Sequence, residues 1–115
     1  MATLDEVFES IKGQLIRDYG GTPYDRLRDL VTLGLNEEAG EVAALRKREL
    51  RRNFRDVKTM MGIRNKYVEE LGDVLWYLAA CCFVYGTSLE EIWQTNVQKL
   101  EDRYGHVEGG AQHRE

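Results

Sequence analysis

Two stretches, LNEEAGEVAAL at residues 35–45 and EELGDVLWYL at residues 69–78, decide the fold and carry the chemistry of this chain. They share one short pattern, Glu37-Glu38-Ala39-Gly40-Glu41-Val42 and Glu69-Glu70-Leu71-Gly72-Asp73-Val74. Residues three apart lie on one face of a helix, about 5–6 Å from one another. Glu38 with Glu41, and Glu70 with Asp73, therefore form two carboxylate pairs that facing antiparallel helices would bring into one oxygen-rich site. A helical wheel decides between surface acids and a site. Val31, Leu35, Val42 and Leu45 fall within about 60° of Glu38, and Ile63, Tyr67, Val74, Tyr77, Cys81 and Val84 within about 60° of Glu70. Both pairs interrupt apolar stripes and are expected to point toward the core.

Working outward, the punctuation predicts an all-α chain, an antiparallel bundle of about four helices. Thr3 and Glu6 form a capping pair that opens the first helix, and Gly20-Gly21 closes it. Thr22-Pro23 opens a second helix running to about Arg48. The third spans about Ile63 to Tyr85 and stops at Gly86. Ser88 and Glu91 open the fourth, which closes at Gly105. A length of 115 residues fits one domain, read here as residues 1–107 followed by a flexible tail, 108–115.

The third helix is apolar all round from Val74 to Tyr85, as expected of a helix covered on every side. Leu71, Leu75, Trp76, Ala79 and Phe83 lie away from the Glu70 and Asp73 face, and this second apolar surface predicts a homodimer or homotetramer. The apolar run is too short to span a bilayer, and the N-terminus lacks the layout of a secretion signal, so a cytoplasmic location with no membrane partner is expected. Cys81 and Cys82 are adjacent inside this run and read as small core hydrophobes rather than a disulfide framework.

Net charge is −4, unevenly spread, with seven basic residues against two acids between Arg46 and Lys58. An acidic chain with one basic strip points to a small anionic ligand rather than a nucleic-acid track, and a solvated connector is the plain alternative. Burying unpaired carboxylates costs several kcal/mol, so a cation must compensate or the protons must stay on. Lys or Arg could do so as a structural network, but Lys66 is the one basic residue close to either stripe. The two histidines, His106 and His113, lie near the tail, so neither pair has the Glu-x-x-His form of helical di-iron sites. An all-carboxylate set suits Mg²⁺ or Mn²⁺, ions that retain waters and bind phosphates. On the fourth helix Asn96, Lys99 and Arg103 share a face and could grip a polyphosphate; taken alone they read more simply as a solvated face, and their weight comes from standing beside the carboxylates.

Taken together, GLNEEAGEVAAL, EELGDVLWYL and NVQKLEDRYG resemble MazG-type nucleotide pyrophosphohydrolases over about residues 24–105. The resemblance implies an all-α, Mg²⁺-dependent, oligomeric enzyme that splits a nucleoside triphosphate into a monophosphate and pyrophosphate. It implies Glu38, Glu41, Glu70 and Asp73 as metal-binding catalytic residues. Asn96, Lys99, Arg103 and Tyr104 would line the nucleotide site, with Lys66 beside them. The basic stretch has no counterpart in the motif. Two alternatives stay open: a phosphoribosyl-ATP pyrophosphohydrolase-like enzyme, and a non-catalytic helical module that binds RNA or an acidic protein through residues 46–58.

Overall fold

A computed structural model describes residues 1–52 and 57–105, the side chains of 52 and 57–60 excepted. It holds four helices and, among the described residues, no strand: α1 (Leu4–Tyr19), α2 (Tyr24–Arg52), α3 (Val57–Val84) and α4 (Leu89–Tyr104). The expected caps form. Thr3 accepts from the Glu6 amide at 3.1 Å while the Glu6 carboxylate accepts from the Thr3 amide at 2.8 Å, and the Ser88 hydroxyl accepts from the Glu91 amide at 3.0 Å. These bonds satisfy amides that a helix start leaves without intrahelical partners.

Helices α2 and α3 are longer than their punctuation implies. Residues 46–52 are Arg, Lys, Glu and Leu with no Pro or Gly, all strong helix formers, and Arg46 bonds Glu49 one turn on at 3.1 Å. Nothing local ends α2 at Arg48. Part of the basic strip, Arg52, Arg55 and Lys58, lies outside the described side chains, as do His106 and His113.

The four helices do not form one bundle. Helices α2 and α3 pair as an antiparallel hairpin whose register is fixed by cross-contacts along its length. Tyr24 at the start of α2 donates to the Val84 carbonyl at the end of α3, Cys81 Sγ meets the Val31 carbonyl at 3.3 Å, and Tyr67 donates to Glu49 at 2.5 Å near the far end. Helix α4 leaves the end of α3 at 93°. The turn is made by Gly86, whose φ of 74° is the left-handed conformation that Gly adopts without a Cβ penalty. The Thr87 amide then closes back on the Cys82 carbonyl at 2.8 Å.

The core consequently sits at one end of the hairpin. One cluster joins Leu15 of α1 to Leu27 and Val31 of α2 and to Ala80, Cys81 and Val84 of α3. A second joins Phe8 and Ile11 of α1 to Ala79 and Cys82 of α3 and Leu89 of α4. The adjacent cysteines face different clusters, both buried and both free, and burial pushes both thiols above the ordinary range. Helix α1 covers much of the α3 surface assigned from sequence to a second copy. Ala79 is buried, Trp76 and Phe83 pack into the α1 clusters, and the Trp76 indole donates to Gln14 at 2.7 Å. Leu71 and Leu75 stay exposed, joined by Val68. Among the described residues no single helix is long and apolar enough to cross a membrane.

Gly34 sets the spacing of the hairpin. A Cβ at this buried position would overlap the ring of Tyr77, so the ring lies against bare α2 backbone. Replacing a helical Gly by Ala gains up to about 1 kcal/mol of propensity, whereas overpacking costs about 1–3 kcal/mol. Gly34→Ala is therefore expected to destabilise the fold in urea titration. Gly13→Ala, on α1 with open space around it, should stabilise it. Equal gains from both would show that the Tyr77 contact does not hold the helices at this distance.

Candidate active site

The α2–α3 register carries the two sequence motifs to the same level of the hairpin. One turn along from the Gly34–Tyr77 contact, Glu38 of α2 meets Glu70 and Asp73 of α3, with one carboxylate oxygen of each within 4.8 Å of the others. Glu38 and Glu70 are half-buried, and Asp73 is exposed at the rim. Glu41 is exposed and does not join this group. The wheel aims Glu41 and Asp73 at the core, but among the described residues this part of α2 packs chiefly on α3, so residues about 60° off the seam reach solvent.

The electrostatics single out Glu38. Its pKa is raised, chiefly by burial, then by the charges of Asp73, Glu37, Glu70 and, least of all, Glu41. No Lys or Arg among the described residues makes an ion pair with Glu38, Glu70 or Asp73. Lys66, one turn before Glu70, is exposed and forms none either. Neutralisation by a basic network is thus absent from the described residues, and three oxygen donors converge without a counter-charge. Such a donor set fits a hard divalent cation.

Tyr77 adjoins the cluster one turn above Asp73. Its hydroxyl pKa is raised by burial first, then by Tyr19, Glu38, Glu37 and Asp73, so it stays a neutral donor. Farther down the hairpin, Glu49 accepts from both Tyr67 and Arg46, which ties the first residue of the basic strip to α2 and α3. Lys47, Arg48 and Arg51 are exposed.

The fourth helix is elsewhere. From a rise of 1.5 Å per residue and the right-angled turn after α3, Lys99 stands roughly 20 Å from Asp73. Asn96 and Lys99 line an open cleft of about 450 Å³ at the α3–α4 corner, with Thr87 and Glu91. Arg103 lies 6.0 Å from the centre of the Tyr104 ring, and both are exposed. Within one chain these residues do not meet the carboxylates.

A family model for the MazG nucleotide pyrophosphohydrolase domain matches residues 28–108. The chain belongs to the MazG nucleotide pyrophosphohydrolase domain family. The MazG match takes in both carboxylate motifs and α4, and leaves α1 outside. Two relatives are similar over most of their length. "Uncharacterized protein YvdC" of Bacillus subtilis (strain 168) is 39% identical over 76 residues, covering 64% of this chain and 72% of that protein. "Gene 37 protein" of Mycobacterium phage L5 is 36% identical over 86 residues, covering 73% of this chain and 74% of its own. No solved structure matches the chain.

Sequence reasoning did not find Tyr19 or the role of Gly34. The Gly34-x-x-x-Glu38 and Asp73-x-x-x-Tyr77 spacings, each one helical turn, were the available signal.

A raised carboxylate pKa has a definite linkage consequence. The folded chain binds a proton at Glu38 that the unfolded chain has already released, so stability falls as pH climbs from the ordinary Glu value through the raised one. In a chelator, the melting temperature should decline across this interval. Glu38→Gln should flatten the decline and melt higher than the parent at neutral pH. An unchanged pH profile in Glu38→Gln would place the electrostatic load on another group.

Proposed function

We propose that this chain is a Mg²⁺-dependent nucleoside triphosphate pyrophosphohydrolase, which hydrolyses the α–β phosphoanhydride to a nucleoside monophosphate and pyrophosphate. The observation that carries this reading is the uncompensated convergence of Glu38, Glu70 and Asp73 inside the region that matches the MazG model. Mg²⁺ or Mn²⁺ held by these carboxylates, with Glu41 as a further ligand at the rim, would neutralise phosphate charge and lower the pKa of a bound water. A carboxylate at the metal would accept the proton of the attacking water, and Tyr77 of α3 would be a donor toward a phosphate or ribose oxygen.

Oligomerisation belongs to the same reading. The accessible surface is 8559 Å², whereas a compact monomer of 13.3 kDa exposes roughly 6,400 Å². The radius of gyration, 17.8 Å, likewise exceeds the roughly 13 Å of a compact domain this long. The unsupported half of the hairpin, with Val68, Leu71 and Leu75 exposed, accounts for part of this surface and is suited to a second copy. Since Asn96, Lys99, Arg103 and Tyr104 stand far from the carboxylates of their own chain, they reach the polyphosphate from a partner's α4.

Pyrophosphate release measured over a panel of ribo- and deoxyribonucleoside triphosphates should require Mg²⁺ or Mn²⁺. Glu70→Gln and Asp73→Asn should each lose at least about 100-fold in kcat, the scale of one electrostatic group in a transition state, while melting no lower than the parent without metal. Full activity in either variant would overturn the metal assignment. Glu70→Gln and Lys99→Met should each be inactive alone yet recover up to about a quarter of the parental activity when mixed, because half the dimers then carry one intact site. No recovery, or a well-folded monomer by light scattering, would sink the shared site.

A further inference from the structure

A cavity of about 390 Å³ opens where α1 crosses the α2–α3 hairpin, walled by Tyr19 of α1, Leu30, Gly34 and Glu37 of α2, and Trp76 and Tyr77 of α3. Its place relative to the carboxylates is fixed by helix geometry. Gly34 lies four residues before Glu38 and Tyr77 four after Asp73, so the cavity floor stands one turn, about 6 Å, from the cluster along both helices. That gap matches a sugar between a base and its first phosphate. Trp76 is fixed by its bond to Gln14, and it stands edge-to-face with Tyr77, ring centres 5.1 Å apart, so two aromatic walls are held in place before any ligand arrives. Gly34, having no Cβ, gives the Tyr77 ring its place against α2 at the cavity floor.

The polar lining is unbalanced. Among the described residues Glu37 is the one charged side chain in the wall, with no Lys or Arg beside it. A carboxylate accepts hydrogen bonds and donates none. Cytosine, adenine and guanine present an exocyclic amino group with two N–H donors to such an acceptor, whereas uracil and thymine offer a single N3–H flanked by two carbonyl oxygens that the carboxylate repels.

We propose that this cavity takes the nucleobase of the substrate and selects bases carrying an exocyclic amino group, with Glu37 as the acceptor and Tyr19 as the covering wall. The proposal rests on the pyrophosphohydrolase reading for the rest of the substrate. Tyr19 lies outside the region matched by the family model, so this wall is supplied by a helix that the matched domain does not include. The base is therefore covered by α1 and selected by Glu37 of α2.

Two measurements separate the cavity from the chemistry. In the first, nucleosides without phosphate are titrated into the metal-free full chain, and the Trp76 indole proton, identified by its loss in Trp76→Phe, is followed by NMR. Cytidine, adenosine or guanosine should shift this signal, and uridine and thymidine at the same concentration should not. In the second, kcat/KM is compared across the triphosphates and ribose 5-triphosphate. The parent should favour an amino-bearing base at least tenfold over its keto counterpart. Glu37→Gln should collapse that ratio, and Tyr19→Ala should collapse the ratio of the preferred nucleotide to ribose 5-triphosphate.

A selective nucleoside shift without any triphosphate hydrolysis supports the cavity and refutes the pyrophosphohydrolase reading. Hydrolysis whose base ratios survive both substitutions refutes the cavity and leaves the hydrolase standing. Neither shift nor hydrolysis refutes both. A change of oligomeric mass in Tyr19→Ala with parental base ratios means that a second copy, and not a base, covers the cavity, which also overturns the proposal.

Discussion

The close approach of α2 and α3 at Gly34 and Tyr77 is the contact on which the remaining structure depends. With no Cβ at Gly34, the Tyr77 ring occupies space that any other residue would fill. Two consequences follow from this one approach. The helices come near enough for Glu38 to meet Glu70 and Asp73 one turn farther on, and the tyrosine hydroxyl is carried beside those carboxylates. A wider spacing would separate the acids, relieve their repulsion and remove the site. Hydrogen bonds at both ends of the hairpin hold the same register, from Tyr24 and Val84 to Tyr67 and Glu49.

The acids bear an electrostatic cost that no ion pair among the described residues offsets. Glu38 sits deepest in the seam, and burial together with its acidic neighbours disfavours its charge. Such a group weakens the folded state unless a cation joins it. That makes the site costly as architecture and sensible as a metal-binding centre. The rim acids, Asp73 and Glu41, reach solvent because among the described residues that stretch of α2 packs chiefly on α3.

Stability and chemistry occupy opposite parts of the hairpin. The buried clusters lie where α1 and the start of α4 pack on the C-terminal half of α3, and the small residues Ala79 and Ala80 allow close packing there. The carboxylates lie just beyond this core, firmly held on one side and uncovered on the other. The apolar cavity marks the boundary, with one wall on α1 and its floor beside the acids.

Local information in the sequence determined the helices. Thr3 with Glu6, Ser88 with Glu91, Gly86 and Gly105 are capping signals read within a few residues, and all four mark real helix ends. The three-residue spacing of each acidic pair likewise follows from helical periodicity alone, as does the pointing of Cys81 and Cys82 into different surroundings. Missing or frail signals explain the misread boundaries, since no breaker stands between Arg48 and Arg52. Tertiary structure alone decided that Glu41 stays at the rim, that α1 covers Trp76, Ala79 and Phe83, that Lys99 lies far from the acids, and that Tyr19 closes a cavity. These outcomes depend on crossing angles and on the register between helices. Both are set by contacts between residues distant in the chain, such as Gly34 with Tyr77, and a wheel drawn for one helix contains neither.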